Sequence, residues 1–559
     1  MENLPQILLL IPLILTAIET GVKAERPLVT TKYGDLRGVT VPVKETSRVI
    51  DAFFGVPFAR PPVGPLRFGN PEPPEPWKSE RDASDPPPMC LQLEDTMKGL
   101  AVFYQSSLQL PRSSEDCLYL NVYTPADRVK KSKLPVMVFI HGGGLLFGLA
   151  NLFDGSALSA YEDVVVVSLQ YRLGILGFFS TGDDRLRGNY GFLDQVAALQ
   201  WIQENIADFG GDPSSVTIFG ESAGGISVSA LVASPLAKGL FHRAISESGT
   251  VAMSAMVVSK SEELIYFQNK LSELSGCDLA SIADCLKTKS ENEMYTITKK
   301  MGMLFLPAFV DGVFLPKPAV TMFANKESNR VPFLLGMNNH EFGWISLSLL
   351  NLSDVTSGMT RESVMMKLQN LPLLSLRPEA IPHIMDEYLG DATDPVEIRN
   401  LFQDLCGDLM FVIPTLKIAK YHRDMGLPVY LYEFQHPPSI LEHLRPRFVK
   451  ADHGDELFFV SGGAFQRDGV LYAGPATQEE KRLARTTMKY WANFARTGNP
   501  NSPGLTTWPE YGADELYLEI NLKQKSSSKL KEEKFKFWTE MLPKKILSKT
   551  LDGGDRTEL

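Results

Sequence analysis

Apolar runs alternate with helical periodicity along the first half of the chain. Residues 134–140 and 164–169 are almost unbroken apolar segments, which is typical of strands buried on both faces of a sheet. Before a further β-forming run at 216–219, apolar residues recur at helical spacing over 192–209. Strands that alternate with helices predict an α/β fold, with a mainly parallel central sheet and helices on both faces.

Shorter apolar runs predict further strands of the same sheet, at residues 118–123, 244–246, 332–336 and 428–434. Two helix-like stretches, near 262–303 and 347–425, contain no obvious strand, and we interpret them as helical insertions that roof a site. The stretch from Phe53 to Trp77 is rich in proline and predicts irregular surface structure. Since we find no internal repeat and no Gly/Ser linker, residues 25–559 are interpreted as a single domain.

The run at 216–219 leads into Gly220-Glu221-Ser222-Ala223-Gly224, and a small-residue segment follows. A strand, a very tight turn and a helix would hold the Ser222 hydroxyl exposed above the sheet edge on a strained backbone. The G-x-S-x-G pattern therefore predicts a nucleophile. On the pattern alone, a Gly-rich turn with an incidental serine remains the alternative.

An oxyanion hole is predicted from His141-Gly142-Gly143-Gly144, which directly follows the apolar run 134–140. Glycine leaves its backbone N–H unshielded, so a substrate carbonyl can approach closely. Acyl transfer needs such donors, together with the N–H of the residue after the nucleophile. We therefore expect Gly143, Gly144 and Ala223 to form the hole, with a flexible turn as the alternative.

The base is expected to be a histidine, because imidazole exchanges protons near neutral pH. The chain has eight histidines, and His453 comes last, in a short polar loop after the strand 428–434. The order serine, acid, histidine along an α/β-hydrolase chain favours that position. The charged neighbours of His453 also fit a plain surface loop. The orienting acid is predicted at Glu341, just past the strand 332–336, with Asp311 as its rival.

Several segments together resemble one family, the type-B carboxylesterases of the cholinesterase-like α/β-hydrolases. The matching segments are Glu115–Tyr123, His141–Gly144, Phe209–Pro213, Gly220–Gly225, Asn339–Trp344 and Asp452–Glu456. They span nearly the whole chain after residue 24, in the order in which the family has them. Within the family, the resemblance is greatest to the vertebrate carboxylesterase 2 and fatty acyl-CoA hydrolase group.

Carried onto this chain, the resemblance implies a triad of Ser222, Glu341 and His453, and an oxyanion hole at the three N–H groups named above. It implies a serine carboxylesterase of the α/β-hydrolase fold, which hydrolyses carboxylic esters through an acyl-enzyme. No metal and no cofactor are expected. The apolar residues between Cys90 and Cys117 suggest lipid-like or xenobiotic esters, and thioesters and amides are accessible to the same chemistry.

Two other classes of protein are weighed against this interpretation. Some cholinesterase-like proteins resemble non-catalytic adhesion or carrier domains with a damaged triad, whereas every catalytic position is filled here. Cholinesterases carry a tryptophan for the choline cation in the first disulfide loop, and no tryptophan lies between Cys90 and Cys117. Small-molecule esters are therefore the expected partners.

The net charge and the apolar stretches of the chain indicate where the protein is located and which partners it does not bind. The chain has 559 residues and a net charge of −10, which argues against nucleic acid as a partner. Residues 1–24 resemble a secretory signal peptide, although no Lys or Arg precedes the apolar run 7–15. We find no other apolar stretch long enough to span a bilayer, so we expect no transmembrane span in the mature chain. The expected location is the endoplasmic reticulum lumen, or outside the cell.

Three further features agree with a location in the endoplasmic reticulum lumen or outside the cell. Cys90–Cys117 and Cys277–Cys285 are the economical disulfides and leave Cys406 as a buried thiol; spacing does not prove these pairs, but the family resemblance supports them. Asn351-Leu352-Ser353 is a glycosylation sequon. The tail Arg556-Thr557-Glu558-Leu559 shares its last two residues with the K-D-E-L signal, which predicts binding to a retention receptor, or secretion if the tail is not retained.

Overall fold

An 11-stranded sheet carries the fold. The computed structural model of the chain describes residues 26–553 apart from 105, 107, 108, 130, 131, 254 and 255. In chain order the strands of this sheet are β1 (Val39–Pro42), β2 (Val49–Pro57), β3 (Tyr119–Pro125), β4 (Leu134–Ile140), β5 (Val165–Leu169), β6 (Gly211–Glu221), β7 (Arg243–Glu247), β8 (Phe333–Asn338), β9 (Val429–Phe434), β10 (Leu516–Ile520) and β11 (Lys525–Ser528). Their order across the sheet is β11-β10-β9-β8-β7-β6-β4-β5-β3-β2-β1.

The strands from β4 to β10 pair in parallel, and the pairs toward both edges are antiparallel. The carboxyl ends of β6, β7 and β8 therefore meet along one edge of the sheet, where an open α/β sheet binds its ligands. The predicted α/β fold with a mainly parallel sheet is confirmed.

Helices cover both faces of this sheet. The α-helices are Glu94–Phe103, Ser156–Glu162, Gly174–Phe178, Tyr190–Asn205, Ala223–Ala233, Ile265–Ser275, Ile282–Thr288, Glu291–Met301, Ala319–Ala324, Ile345–Leu349, Arg361–Asn370, Ile381–Leu389, Pro395–Gly407, Ile413–Arg423, Leu457–Val460, Gln478–Thr497, Glu532–Lys536 and Leu542–Gly553. Several of them lie within the two stretches that we interpret as insertions. Among the described residues, we find no helix that combines the length and the apolar character needed to cross a membrane.

Side-chain alternation along β4 divides the core into two layers. Val136, Val138 and Ile140 pack in one apolar cluster, with the helices Tyr190–Asn205 and Ala223–Ala233. Met137 and Phe139 pack in the other, with Ser156–Glu162 and Gln478–Thr497. Burial on both faces explains why β4 is continuously apolar rather than alternating.

The expectation that the chain from Phe53 is irregular was wrong for residues 53–57, which complete β2. This strand pairs with β3, and the register shifts between Phe53 and Val56. The intervening Gly55 has φ +64°, in the left-handed region of backbone conformations that glycine adopts readily. A bulge of this kind interrupts alternation in the sequence while the neighbouring strand still pairs on both sides of it.

Both predicted cysteine pairs, Cys90–Cys117 and Cys277–Cys285, are bonded in the structure. Cys406 is a free, buried cysteine. The side chain of Asn351, the sequon asparagine, is exposed. The signal segment 1–24 and the tail 556–559 lie outside the described residues.

Candidate active site

Ser222 lies in a sharp turn between β6 and the helix Ala223–Ala233. Its backbone has φ 59° and ψ −123°, a conformation that costs a non-glycine residue free energy. The Ser222 N–H donates to the carbonyl of Glu247, at the end of β7, over 2.9 Å. A Cβ on Gly224 would lie only 2.0 Å from the carbonyl oxygen of Ile140. The turn therefore needs glycine there, and it projects Ser222 from the carboxyl edge of the sheet.

Three residues that line the same cavity as this serine have backbone N–H groups without a described acceptor. The N–H groups of Gly143, Gly144 and Ala223 donate to no acceptor among the described residues. Ala223 is the first residue of its helix, where N–H groups have no partner within the helix. All three residues line the cavity that Ser222 also lines. The predicted donors are thus brought together at one place.

His453 is held by Glu341. Its Nδ1 lies 2.7 Å from Oε2 of Glu341. The other carboxylate oxygen accepts the Ser248 hydroxyl over 2.6 Å and the Asn338 N–H over 2.6 Å. Because a carboxylate oxygen only accepts, Nδ1 carries the proton of the neutral ring, and Nε2 is then left to accept one. This assigns the imidazole the tautomer that a general base needs.

A second carboxylate fixes the loop that carries His453. Asp452 accepts the N–H groups of Gly343 and Trp344 through different oxygens, over 3.2 and 2.8 Å, and also that of Ile345 over 2.9 Å. The 452–456 loop is therefore tied to the segment that follows Glu341, and the two partners keep their relative position.

Nε2 of His453 faces a residue that we did not predict. It lies 3.1 Å from Oε1 of Glu221, the residue before the nucleophile. The Ser222 hydroxyl hydrogen-bonds none of the described residues, and catalytic hydrogen bonds often tighten only in the substrate complex. Burial by itself would lower the pKa of His453, but the carboxylates of Glu221 and Glu341 outweigh it and raise that pKa above its usual value.

Glu221 belongs to a group of buried carboxyls at the strand ends. Glu221 and Glu247 are register partners on neighbouring parallel strands, and Glu247 accepts the indole N–H of Trp491 over 2.9 Å. Glu456 accepts from the side-chain amide of Asn338. Glu247 and Glu456 each keep one oxygen without a partner in the described part of the chain, whereas Oε1 of Glu221 contacts His453 Nε2. Burial raises the pKa of all three, which favours their neutral forms.

The cavity above Ser222 is mainly apolar and encloses about 1050 Å³ when it is counted to its open mouth. The segment between Cys90 and Cys117 supplies Leu100 and Tyr104 to its wall. Further apolar residues come from loops, strand ends and helices: Phe139, Phe147, Leu152, Ile226, Met253, Met256, Phe305, Ile345, Leu349, Leu350, Leu373, Met410, Phe411 and Leu457. Such a site favours an apolar ligand with one polar reacting group.

The comparison with known proteins decides the family. A model of the carboxylesterase family matches residues 25–538. The chain belongs to the carboxylesterase family. It is 50% identical over 546 residues to the medium-chain fatty acyl-CoA hydrolase precursor of Anas platyrhynchos, covering 95% of this chain and 96% of that one. It is 46% identical over 565 residues to the liver carboxylesterase of Sus scrofa, covering 97% and 98%. With the cocaine esterase of Homo sapiens the identity is 47% over 529 residues, covering 94% and 93%.

The predicted family and reaction class, hydrolysis of small-molecule carboxylic esters, are therefore confirmed for this carboxylesterase, and an adhesion or carrier domain is not favoured. The rival acid Asp311 instead accepts the N–H groups of Val313 and Leu315 within a turn. Sequence reasoning missed Glu221 and Ser248, which contact His453 and Glu341 respectively. Glu221 stood inside the serine motif and was open to detection; Ser248 carried no comparable signal.

Proposed function

We propose that Ser222, His453 and Glu341 are the catalytic triad of a serine esterase that works through an acyl-enzyme. The observation that carries this proposal is the 2.7 Å contact between His453 Nδ1 and Glu341, beside a cavity lined by both Ser222 and His453. Further support comes from the strained serine turn and from the N–H groups of Gly143, Gly144 and Ala223, which have no acceptor in the described part of the chain and belong to residues that line the same cavity.

In the first half of the reaction His453 Nε2 takes the hydroxyl proton of Ser222, and the serine oxygen attacks the ester carbonyl. His453 then gives that proton to the departing alcohol, which leaves an acyl group on Ser222. In the second half a water molecule loses a proton to the same nitrogen and attacks the acyl group; the bond to the Ser222 oxygen then breaks, that oxygen takes the proton back from His453, and the acid is released. Glu341 keeps the imidazole oriented and stabilises its charged form.

The negative charge of each tetrahedral intermediate is assigned to the N–H groups of Gly143, Gly144 and Ala223. The three residues line the cavity, and their N–H groups have no competing acceptor among the described residues, which leaves them available when the charge develops. Loss of one such donor typically costs about 10²–10³ in rate.

Esters with apolar acyl and alcohol parts are the proposed substrates, including lipid-like and xenobiotic esters. The apolar lining supports this, and relatives named fatty acyl-CoA hydrolase and cocaine esterase are consistent with it. Thioesters and amides present the same carbonyl to the same groups. A panel of esters varied separately in acyl and alcohol size tests the class; a marked preference for small charged esters would contradict it.

The proposed location is the endoplasmic reticulum lumen, reached through cleavage of residues 1–24 and kept by a retention receptor that binds residues 556–559. The two disulfides and the exposed Asn351 are compatible with glycosylation and folding in that compartment. Deleting residues 556–559 should move the protein into the medium. Unchanged retention would assign it to another signal.

The mechanism is tested by Ser222→Ala, which should abolish turnover and labelling by a fluorophosphonate while leaving the thermal unfolding midpoint close to that of the wild type. Ser261→Ala serves as the matched control, because Ser261 is exposed and does not line the cavity. Undiminished hydrolysis by Ser222→Ala, or an unlabelled wild type, would refute the assignment.

A further inference from the structure

In the glycine loop, residues 141–144, three successive carbonyl groups each accept a hydrogen bond. The carbonyl of His141 accepts the hydroxyl of Tyr171 over 2.8 Å. The carbonyl of Gly142 lies 2.9 Å from Nδ1 of the His141 ring. The carbonyl of Gly143 accepts the N–H groups of Leu146 and Phe147 over 3.0 and 3.1 Å. The loop is thus fixed from the side of its oxygens.

The His141 contact defines the state of that ring. The side chain is buried, and burial lowers the pKa of His141 to about 4, so the imidazole is neutral near pH 7. A carbonyl oxygen only accepts, so the proton of the neutral ring is on Nδ1. Nε2 has no partner among the described residues. Hence the one donor of the ring is committed to Gly142.

The ring is held tightly in this orientation. It stacks on Tyr171, with ring centroids 4.4 Å apart and an interplanar angle of 17°. A Cβ on Gly148 would lie 2.2 Å from Nδ1, so only glycine leaves room for the imidazole there. Gly148 is itself fixed, because its N–H donates to Gln92 Oε1 and its carbonyl accepts from Gln92 Nε2, both over 2.8 Å.

The peptide that His141 contacts is the one that ends in the Gly143 N–H. The described chain contains no cis peptide bond, so this C=O and this N–H point in opposite directions. A donor on the oxygen therefore fixes the direction of the N–H. It also polarises the amide, and linked hydrogen bonds strengthen one another inside a protein.

We propose that His141 is a positioning residue of the oxyanion hole: its Nδ1–H holds and polarises the Gly142–Gly143 peptide, so that the Gly143 N–H donates to the tetrahedral intermediate. This inference rests on the proposed function and assigns His141 no contact with substrate. It explains why a histidine that takes no part in proton transfer is buried beside the cavity.

The test compares His141→Leu with His141→Asn. Asparagine places an amide N–H close to the position of Nδ1, whereas leucine has a similar shape and no donor. We expect His141→Leu to lower kcat about 10-fold or more with KM within about twofold, since the donor acts on the transition state. We expect His141→Asn to stay within about threefold of the wild-type kcat.

A trifluoromethyl ketone, which forms a tetrahedral adduct with the serine, gives a second readout. Its affinity should fall in His141→Leu by the same factor as kcat/KM, and His141→Asn should restore it. Equal losses in both variants, or a loss confined to KM, would overturn the inference. An inactive wild type would instead refute the proposed function.

If His141→Leu does not fold, Gly148→Ala gives the same comparison with the imidazole still present. The added methyl displaces Nδ1 from Gly142, so kcat should fall while KM stays within about twofold. A wild-type kcat in folded Gly148→Ala would overturn the inference.

Discussion

Replacing Glu221 with glutamine should move the acid limb of the pH–rate profile to lower pH. In the wild type, Glu221 Oε1 lies 3.1 Å from His453 Nε2, the nitrogen that must be unprotonated to act as the base. An ionised Glu221 favours the imidazolium and so raises the pKa of His453. Glutamine keeps the shape of the side chain and removes the charge, so the pKa of His453 falls.

The size of the shift follows from the geometry. Two opposite unit charges about 3 Å apart attract by about 5 kcal/mol at an effective dielectric constant of about 20, and 1.36 kcal/mol corresponds to one pKa unit. That gives a ceiling of roughly four units. Because burial also raises the pKa of Glu221, this carboxyl is only partly ionised near neutral pH. We therefore expect the pKa of His453 to be lower by about one to two in Glu221→Gln.

Despite the opposing effect of burial, the neighbouring carboxylates raise the pKa of His453 to about 10. The assay is therefore kcat/KM for a short apolar ester between about pH 5 and 11, with the released acid measured by chromatography so that detection does not depend on pH. Glu379→Gln is the matched control, because Glu379 is an exposed carboxylate with no described hydrogen bond. An acid limb that stays in place, or moves to higher pH, would show that Glu221 does not set the pKa of the base.

Two further predictions concern folding. In the wild type the fully buried Asp194 lies 2.7 Å from the Arg172 guanidinium, so Arg172→Met leaves it without a counter-charge and should lower the free energy of unfolding, measured with denaturant, by about 3–5 kcal/mol. Arg185 forms an exposed pair with Asp183, so Arg185→Met should change that free energy little. Equal losses in the two variants would contradict the argument. Gly224→Ala should abolish turnover or soluble expression, because its Cβ would meet the Ile140 carbonyl at 2.0 Å, whereas Gly512→Ala has open space and should behave as wild type.

The parts of the fold that were predicted from sequence are those with local causes. Strand β4 is continuously apolar because both of its faces are buried, and the Ser222 turn needs glycines within a few residues of it. Strand β2 was missed because a register shift beside Gly55 interrupts its pattern, although β3 pairs along both halves.

The parts of the site that could not be predicted depend on contacts between distant segments. Spacing alone hardly separated Glu341 from Asp311, since both follow an apolar segment. What separates them is that Glu341 reaches His453 and Ser248, which are 112 and 93 residues away in the chain. The contact of Glu221 with Nε2 arises in the same way: its sequence position was visible, but its neighbour was not.

The oxyanion hole and the triad should respond differently to pH, so their contributions to the rate can be measured separately. His141 is neutral at any pH well above 4, so the effect of His141→Leu should be a constant factor across the activity range. Glu221 acts through its charge on the protonation of His453, so the effect of Glu221→Gln should vary with pH and shrink on the alkaline plateau, where the base is already neutral. A pH-dependent loss in His141→Leu would mean that His141 also influences the base, and the oxyanion hole and the triad would then not be independent.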